Sequence, residues 1–364
     1  MTTRTFRLAG AALALGLTVS ALSACGDSDD PGSGSSASAS GGDAKKIALL
    51  LPENKTARYE AFDKPMFEAA VKAGCPECEV LYSNANQDAA KQQQQAEAAI
   101  TQGANVIVMS AVDGKSAVTI VQNAKSQGVP VIAYDRFISG ADYYVSFDNK
   151  KVGELQGTGL VDAMKKAGKT SGDIVMINGS PTDANAADFK SGAHSVLDAS
   201  GYKIAAEFDT PDWSPDKAQE WVAGQISQYG DAIAGVYAAN DGIASGAIAA
   251  LRAANVRPLP VVTGQDAELS AIQRIVTGDQ YMTVYKAIKR QAELAGEVAV
   301  ALLLGEKVSA PLTIEGTPAT LLDPVAVTVD NIRETVIADG FWTVDDICTP
   351  EYEEACAAAG LREG

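Results

Sequence analysis

Val129-Pro130-Val131-Ile132-Ala133-Tyr134-Asp135-Arg136 is an apolar run that stops on two opposite charges. Its apolar part is short and lacks polar alternation, which is how a parallel strand covered on both faces reads. The same unit recurs in both directions. Upstream, strands are expected at Ile47 to Leu51, Val80 to Tyr82 and Val106 to Ser110, with helices from about Tyr59 and over Ala89 to Gln102. Downstream, a second series starts near Asn149, with strands at Asp173 to Asn178, Ile204 to Phe208, Ile233 to Ala238 and Leu259 to Gly264. Strands alternating with helix-length segments define an α/β chain, and two such series predict two doubly wound parallel sheets.

Several of these strands end on planar polar pairs: Asp135-Arg136, Asn240-Asp241, Gln265-Asp266, and Tyr285-Lys286 after a strand at Tyr281 to Val284. Ligands of open α/β sheets sit in the crevice outside the carboxyl ends of the strands. One such pair has a simpler explanation, since Asp and Asn cap helix N-termini at these junctions. Recurrence in both halves favours a binding cleft. The inventory suits a sugar, whose hydroxyls donate and accept around a ring with an apolar face. Charged partners bind such hydroxyls with about 1.5–3 kcal/mol each, and aromatic planes cover the ring.

The formal charge of -17 argues against nucleic acid or an anionic lipid surface as partner. Gly114-Lys115-Ser116 and Gly168-Lys169-Thr170 look like the end of a phosphate loop, but Met109 and Ala163 stand where its first glycine is needed. His194, the single histidine, falls in a helical stretch from Asp188 to Leu197, where a packing or surface role outweighs catalysis. Lys286 has Schiff-base chemistry open to it, but beside the other sugar-type groups a hydrogen-bonding role is favoured. No enzyme activity, cofactor or metal is expected.

Leu22-Ser23-Ala24-Cys25 closes an apolar run from Leu8 that follows Arg4 and Arg7. This is a lipobox: residues 1–24 read as a lipoprotein signal peptide and Cys25 as the lipid-bearing residue. Residues 25–44, almost wholly Ser, Gly, Ala and Asp, read as a flexible tether. The other cysteines form two local pairs, Cys75 with Cys78 and Cys348 with Cys356, and an exported setting makes disulfides the default. For Cys75-Pro76-Glu77-Cys78 a redox motif or half a zinc site is the alternative.

At Ala133-Tyr134-Asp135-Arg136, Ser146-Phe147-Asp148-Asn149, Val152-Gly153-Glu154-Leu155-Gln156, Gly179-Ser180-Pro181, Gly264-Gln265-Asp266-Ala267 and Met282-Thr283-Val284-Tyr285-Lys286, the chain resembles the periplasmic sugar-binding proteins of ABC transporters. The likeness is to the type I group, nearest the D-xylose-binding and multiple-aldose-binding proteins, and covers about Lys46 to Asn331. It implies two doubly wound parallel-sheet domains joined by three crossovers, near Asp148-Asn149, Met282-Thr283 and Leu322-Asp323. The N-terminal lobe would be residues 45–149 plus 284–322, and the C-terminal lobe 150–283 plus 323–364. The resemblance further implies that Arg58, Tyr59, Asp135 and Arg136 contact sugar from the first lobe. Asn185, Trp213, Asn240 and Asp266 would do so from the second, with Lys286 at a crossover. Trp213 is the implied stacking aromatic, Tyr59 stands where relatives often carry Trp, and Asp113 matches the aldose-binding relatives.

The expectation is a monomeric, lipid-anchored, extracytoplasmic binding protein that hands an aldose, D-xylose foremost, to an ABC permease and its ATPase. The rivals are glucose, galactose or arabinose as cargo, a sugar sensor signalling through its closed form, and a carbohydrate-active enzyme, for which no proton-shuttling pair is found. A repressor of the same fold needs a basic DNA-reading headpiece, which this chain lacks.

Overall fold

A computed structural model of the chain describes residues 44–362. The expected signal peptide, Cys25 and the tether as far as Asp43 lie outside the described residues. The first half runs β1 (Lys46–Leu51), α1 (Lys64–Gly74), β2 (Glu79–Asn84), α2 (Ala89–Thr101), β3 (Ala104–Met109), α3 (Ala117–Ser126), β4 (Val131–Tyr134) and β5 (Tyr143–Phe147). There follow α4 (Asn149–Lys166), β6 (Asp173–Asn178), α5 (Ala184–Leu197), β7 (Lys203–Asp209), α6 (Pro215–Tyr229), β8 (Ile233–Ala238), α7 (Asp241–Ala253), β9 (Val261–Val262) and α8 (Leu269–Thr277). The chain closes with β10 (Met282–Tyr285), α9 (Ile288–Leu303), β11 (Leu312–Ile314), β12 (Thr317–Leu322), β13 (Val325–Thr328), α10 (Val344–Ile347) and α11 (Glu353–Ala358).

These elements make two sheets, as the two apolar series predict. The first has the order β11-β12-β5-β4-β3-β1-β2 and the second β7-β6-β8-β9. The second is parallel throughout; the first is parallel except at its edge, where β11 runs antiparallel to β12. The chain passes between the sheets after β5, through β10, and between β12 and β13. β10 and β13 pair antiparallel as a separate ribbon, and Asp148 N–H donates to Leu322 O at 3.0 Å, tying the first passage to the third. β4, β5 and β8 are buried along their whole length, so their apolar side chains are removed from water on both faces, at about 25 cal/mol per Å².

Three details differ from the sequence expectation. The strand expected over Leu259 to Gly264 pairs only at Val261–Val262: on its N-terminal side Pro260 has no N–H for a ladder, and beyond Val262 a single bond from Thr263 N to Val236 O continues it. The helix expected from Tyr59 opens as one wide π turn, Tyr59–Asp63, before α1 begins. The first sheet carries the antiparallel edge strand already noted. Both cysteine pairs are disulfides: Cys75–Cys78 closes the turn between α1 and β2, and Cys348–Cys356 links α10 to α11. His194 lies on the outer side of α5 with Nδ1 3.0 Å from Asp198 Oδ1. Among the described residues no helix is long and apolar enough to cross a membrane.

Helices α4 and α5 approach through reciprocal glycines. A Cβ on Gly153 would lie 1.9 Å from Phe189 O, and one on Gly192 would lie 2.0 Å from Lys150 O. Backbone oxygens cannot yield as a side-chain tip can, so Gly153→Ala should force the helices apart. We expect it to lower stability by about 1–3 kcal/mol or more. Gly224→Ala, on an exposed turn of α6 with nothing within 4 Å of its Cβ, should instead be neutral or stabilise by up to about 1 kcal/mol. Denaturant midpoints of the two variants check this contrast, and equal midpoints would contradict it.

Candidate functional site

The strand ends of the two sheets face each other across a cavity lined by Thr56, Arg58, Tyr59, Asp135, Arg136, Asp183, Asn185, Phe189, Trp213, Asn240, Gln265, Asp266 and Lys286. It measures about 20 Å³, little more than one water needs. Arg58 is held by Asp63, whose Oδ2 and Oδ1 accept from its Nε (2.9 Å) and Nη2 (2.7 Å). Gln291 Oε1 also accepts from Nη2 at 2.8 Å, and Tyr134 Oη donates to Asp63. The guanidinium is thereby aimed at Asp135, whose Oδ1 accepts from Nη1 at 3.1 Å, while Tyr59 Oη donates to Asp135 Oδ2 at 2.8 Å. Burial pushes Asp135 up, but Arg58, Lys286 and Arg136 outweigh it and hold the carboxyl down at about 2.

Arg136 reaches from the first sheet to the second. Its Nε lies 2.8 Å from Asp183 Oδ2 without an aligned N–H bond, and Nη1 donates to Ala111 O at 2.9 Å. Asp183 also accepts from Trp213 Nε1 at 3.0 Å, and Asn185 Nδ2 crosses to Asp135 O at 3.1 Å. Lys286 Nζ lies 2.9 Å from Asp266 Oδ1. Arg136 Nε and Asp266 Oδ1 are held in their ion pairs, whereas two buried polar atoms of this lining, Asn185 Oδ1 and Gln265 Oε1, have no hydrogen-bond partner. Buried polar groups are nearly always satisfied, so these atoms mark the hydrogen-bonding capacity of the cavity. Both are acceptors, and the paired Arg136 and Lys286 beside them supply donors, a combination that suits hydroxyls.

Backbone geometry supports the same place. Asp135 (φ 63°), Trp213 (φ 54°) and Asp266 (φ 96°) are left-handed, a conformation that a bulky residue such as Trp rarely adopts and that clusters at ligand sites. The Trp213 ring lies against Gly179, where a Cβ would stand 2.1 Å from the ring. Only glycine admits the indole there. Asn240 both lines the cavity and caps α7, its Oδ1 accepting from Ile243 N at 2.9 Å.

Of the residues expected from the sequence, Arg58, Tyr59, Asp135, Arg136, Asn185, Trp213, Asn240, Asp266 and Lys286 meet in this cavity. Asp113 does not. Its Oδ1 accepts from Ser116 N at 2.7 Å, which commits the carboxylate to the turn before α3. Asp183, Phe189 and Thr56 line the cavity without having been singled out, and Gln265, noted in a strand-end pair, lines it without having been assigned a contact. Asp183 and Gln265 follow strands β6 and β9, so position at a strand end was the available signal. Among the described residues no group of three or more His, Cys, Asp or Glu is arranged to hold a metal ion.

A second cluster lies behind the first. Asp241 Oδ1 accepts from Gln280 Nε2 (2.8 Å), and its Oδ2 accepts from Thr283 Oγ1 (2.9 Å) and Glu268 N (3.0 Å). Burial, only partly offset by Arg274, pushes Asp241 up to about 7. Burial together with Asp241 and Asp266 pushes Glu268 up to about 8.

Residues 47–307 match the periplasmic binding protein domain family. The chain is 39% identical to a D-xylose-binding periplasmic protein of Haemophilus influenzae over 83% of this chain and 92% of that one. It is 36% identical to a D-xylose-binding periplasmic protein of Escherichia coli over 81% and 90%. Among solved structures, an ABC transporter solute-binding protein of Clostridium phytofermentans with bound β-D-glucose superposes with a TM-score of 0.77. That pair is 27% identical and covers 83% of this chain and all of the other.

The carboxyl cluster generates a pH prediction. Glu268 moves from an ordinary value of 4.5 to about 8 on folding, so between those values the folded chain holds a proton that the unfolded chain has lost. Stability from this group is complete below about pH 4.5 and is lost as pH rises towards 8. Glu268→Gln should flatten the fall in stability over that window. Urea titrations at a series of pH values test this, and an unchanged slope would contradict it.

Proposed function

This chain belongs to the periplasmic binding protein family, as a sugar-binding component of ABC transport, and we propose that its cargo is an aldopentose, D-xylose foremost. The observation that carries the reading is the cavity at the facing strand ends, where buried charged side chains of both sheets meet and the Asn185 and Gln265 amide oxygens are left without a hydrogen-bond partner. D-xylose is placed first because the Haemophilus influenzae and Escherichia coli relatives are D-xylose-binding proteins. A second reading, a hexose, draws on the β-D-glucose bound by the Clostridium phytofermentans protein.

In this reading residues 45–149 with 284–322, and 150–283 with 323–364, act as two lobes. Every residue lining the cavity is buried, so the sugar enters when the lobes separate. Its hydroxyls then engage Arg58, Asp135 and Arg136 from one lobe and Asn185, Asn240 and Asp266 from the other, with Lys286 between them. Trp213 and Tyr59 cover the ring. A ligand that touches both lobes in one arrangement favours that arrangement by its differential affinity. A permease and its ATPase would distinguish the closed form, outside the cell, from a chain held at the membrane through a lipid on Cys25. No step makes or breaks a covalent bond, in keeping with relatives that are substrate-binding proteins.

Isothermal titration with D-xylose, D-glucose, D-galactose, L-arabinose and D-ribose tests the proposal. D-xylose should bind at micromolar affinity or tighter without turnover; no binding across the panel would overturn the aldose reading. Asp266→Ala should weaken D-xylose by at least about tenfold, the equivalent of losing one charged hydrogen bond. Unchanged affinity would remove Asp266 from the site. Cys25→Ala should move the chain from the membrane to the soluble fraction, and an unaltered membrane fraction would refute the lipid anchor.

A further inference from the structure

The segment after β13 lines no part of the sugar cavity, yet it meets the first half of the chain. Phe62, in the wide turn that begins with Tyr59, lies face to face with Phe341, ring centroids 4.1 Å apart and planes 26° from parallel. The same ring stands edge-on to Trp342 at 5.0 Å. Trp342 is fixed to the second half, since its Nε1–H donates to Ala267 O at 2.8 Å, one residue from Asp266. On its other side Phe341 meets Tyr285 at 5.2 Å. The segment that carries these rings is itself secured: Cys348–Cys356 staples it, and Arg333 Nη2 donates to Gly360 O (2.9 Å) and Leu361 O (2.7 Å).

We infer that Phe62, Phe341 and Trp342 form a clasp that favours lobe closure independently of the sugar, with the disulfide-stapled C-terminal segment as its strap. The clasp presupposes the two hinged lobes proposed above. Phe62 is four residues from Arg58 and moves with it, whereas Trp342 moves with Ala267 and Asp266. Separating the lobes therefore unstacks the rings. The apparent affinity of a protein that binds in one conformation scales with the population of that conformation. A clasp outside the cavity must accordingly change the affinity of every sugar by one common factor, while a cavity residue changes each sugar differently.

The experiment places a pair of distance labels at Glu97 and Glu220, exposed on α2 and α6, in the full chain, and titrates the five-sugar panel. Phe62→Ala should lengthen the mean distance in the sugar-free protein. It should also weaken every sugar that the unmutated chain binds by the same factor, about three- to tenfold for a lost aromatic stack. Phe62→Tyr should restore both, and the Cys348→Ser, Cys356→Ser double variant should shift both in the direction of Phe62→Ala. Phe62→Leu, which keeps apolar volume and loses the stack, carries the test if Phe62→Ala does not fold. Unchanged distances, or losses that differ from sugar to sugar, would overturn the clasp. If no sugar binds the unmutated chain, the sugar proposal alone fails and the sugar-free distances still decide the clasp.

Discussion

Buried charge at the meeting of two sheets is the constraint on which this structure turns. Arg58, Asp63, Asp135, Arg136, Asp183, Asp266 and Lys286 are each at most 5% exposed. Removing such groups from water costs several kcal/mol per ion unless close partners compensate. Here every one has a partner: Arg58 two carboxylates, Arg136 the Asp183 carboxylate, Lys286 the Asp266 carboxylate. Such networks add little net stability over an apolar core, so their concentration at the strand ends points to recognition. The Arg136–Asp183 pair spans the two sheets, which makes their apposition part of the site.

The rest of the fold holds these charges in place. Two stacks of buried strands fix where the chain emerges, and left-handed backbone at Asp135, Trp213 and Asp266 turns the chain at those points. Asp63, Gln291 and Tyr134 orient Arg58 without lining the cavity. The glycines at α4 and α5 let two helices meet at backbone distance, which gives the second sheet a firm flank. Aromatic contacts of Phe62 with Phe341 and Trp342 join the same halves a second time, away from the cavity.

How much of this was legible depended on distance along the chain. The strands were, because a run such as Val131 to Tyr134 is apolar without alternation and ends on charge. Asp135-Arg136 announced itself for the same reason. Asp183 and Asp63 did not, since their meaning lies in Arg136 and Arg58, and in Asp183's case that partner is far away in sequence. Asp113 carried the right chemistry at a strand end, but a local turn claims its carboxylate. The shortened β9 was readable in principle from Pro260. The role of the C-terminal segment was not, because Phe341 and Trp342 give no periodic signal and their partner Phe62 lies at the other end of the chain.

A crystal structure of the chain with D-xylose would decide whether the buried charges between the sheets recognise a sugar. The account predicts one sugar ring between the sheets, its hydroxyls within hydrogen-bond distance of Asp135, Arg136, Asn185 and Asp266, and its face against Trp213. A ring bound elsewhere, or one between the sheets whose hydroxyls leave those four side chains paired only with one another, would contradict it.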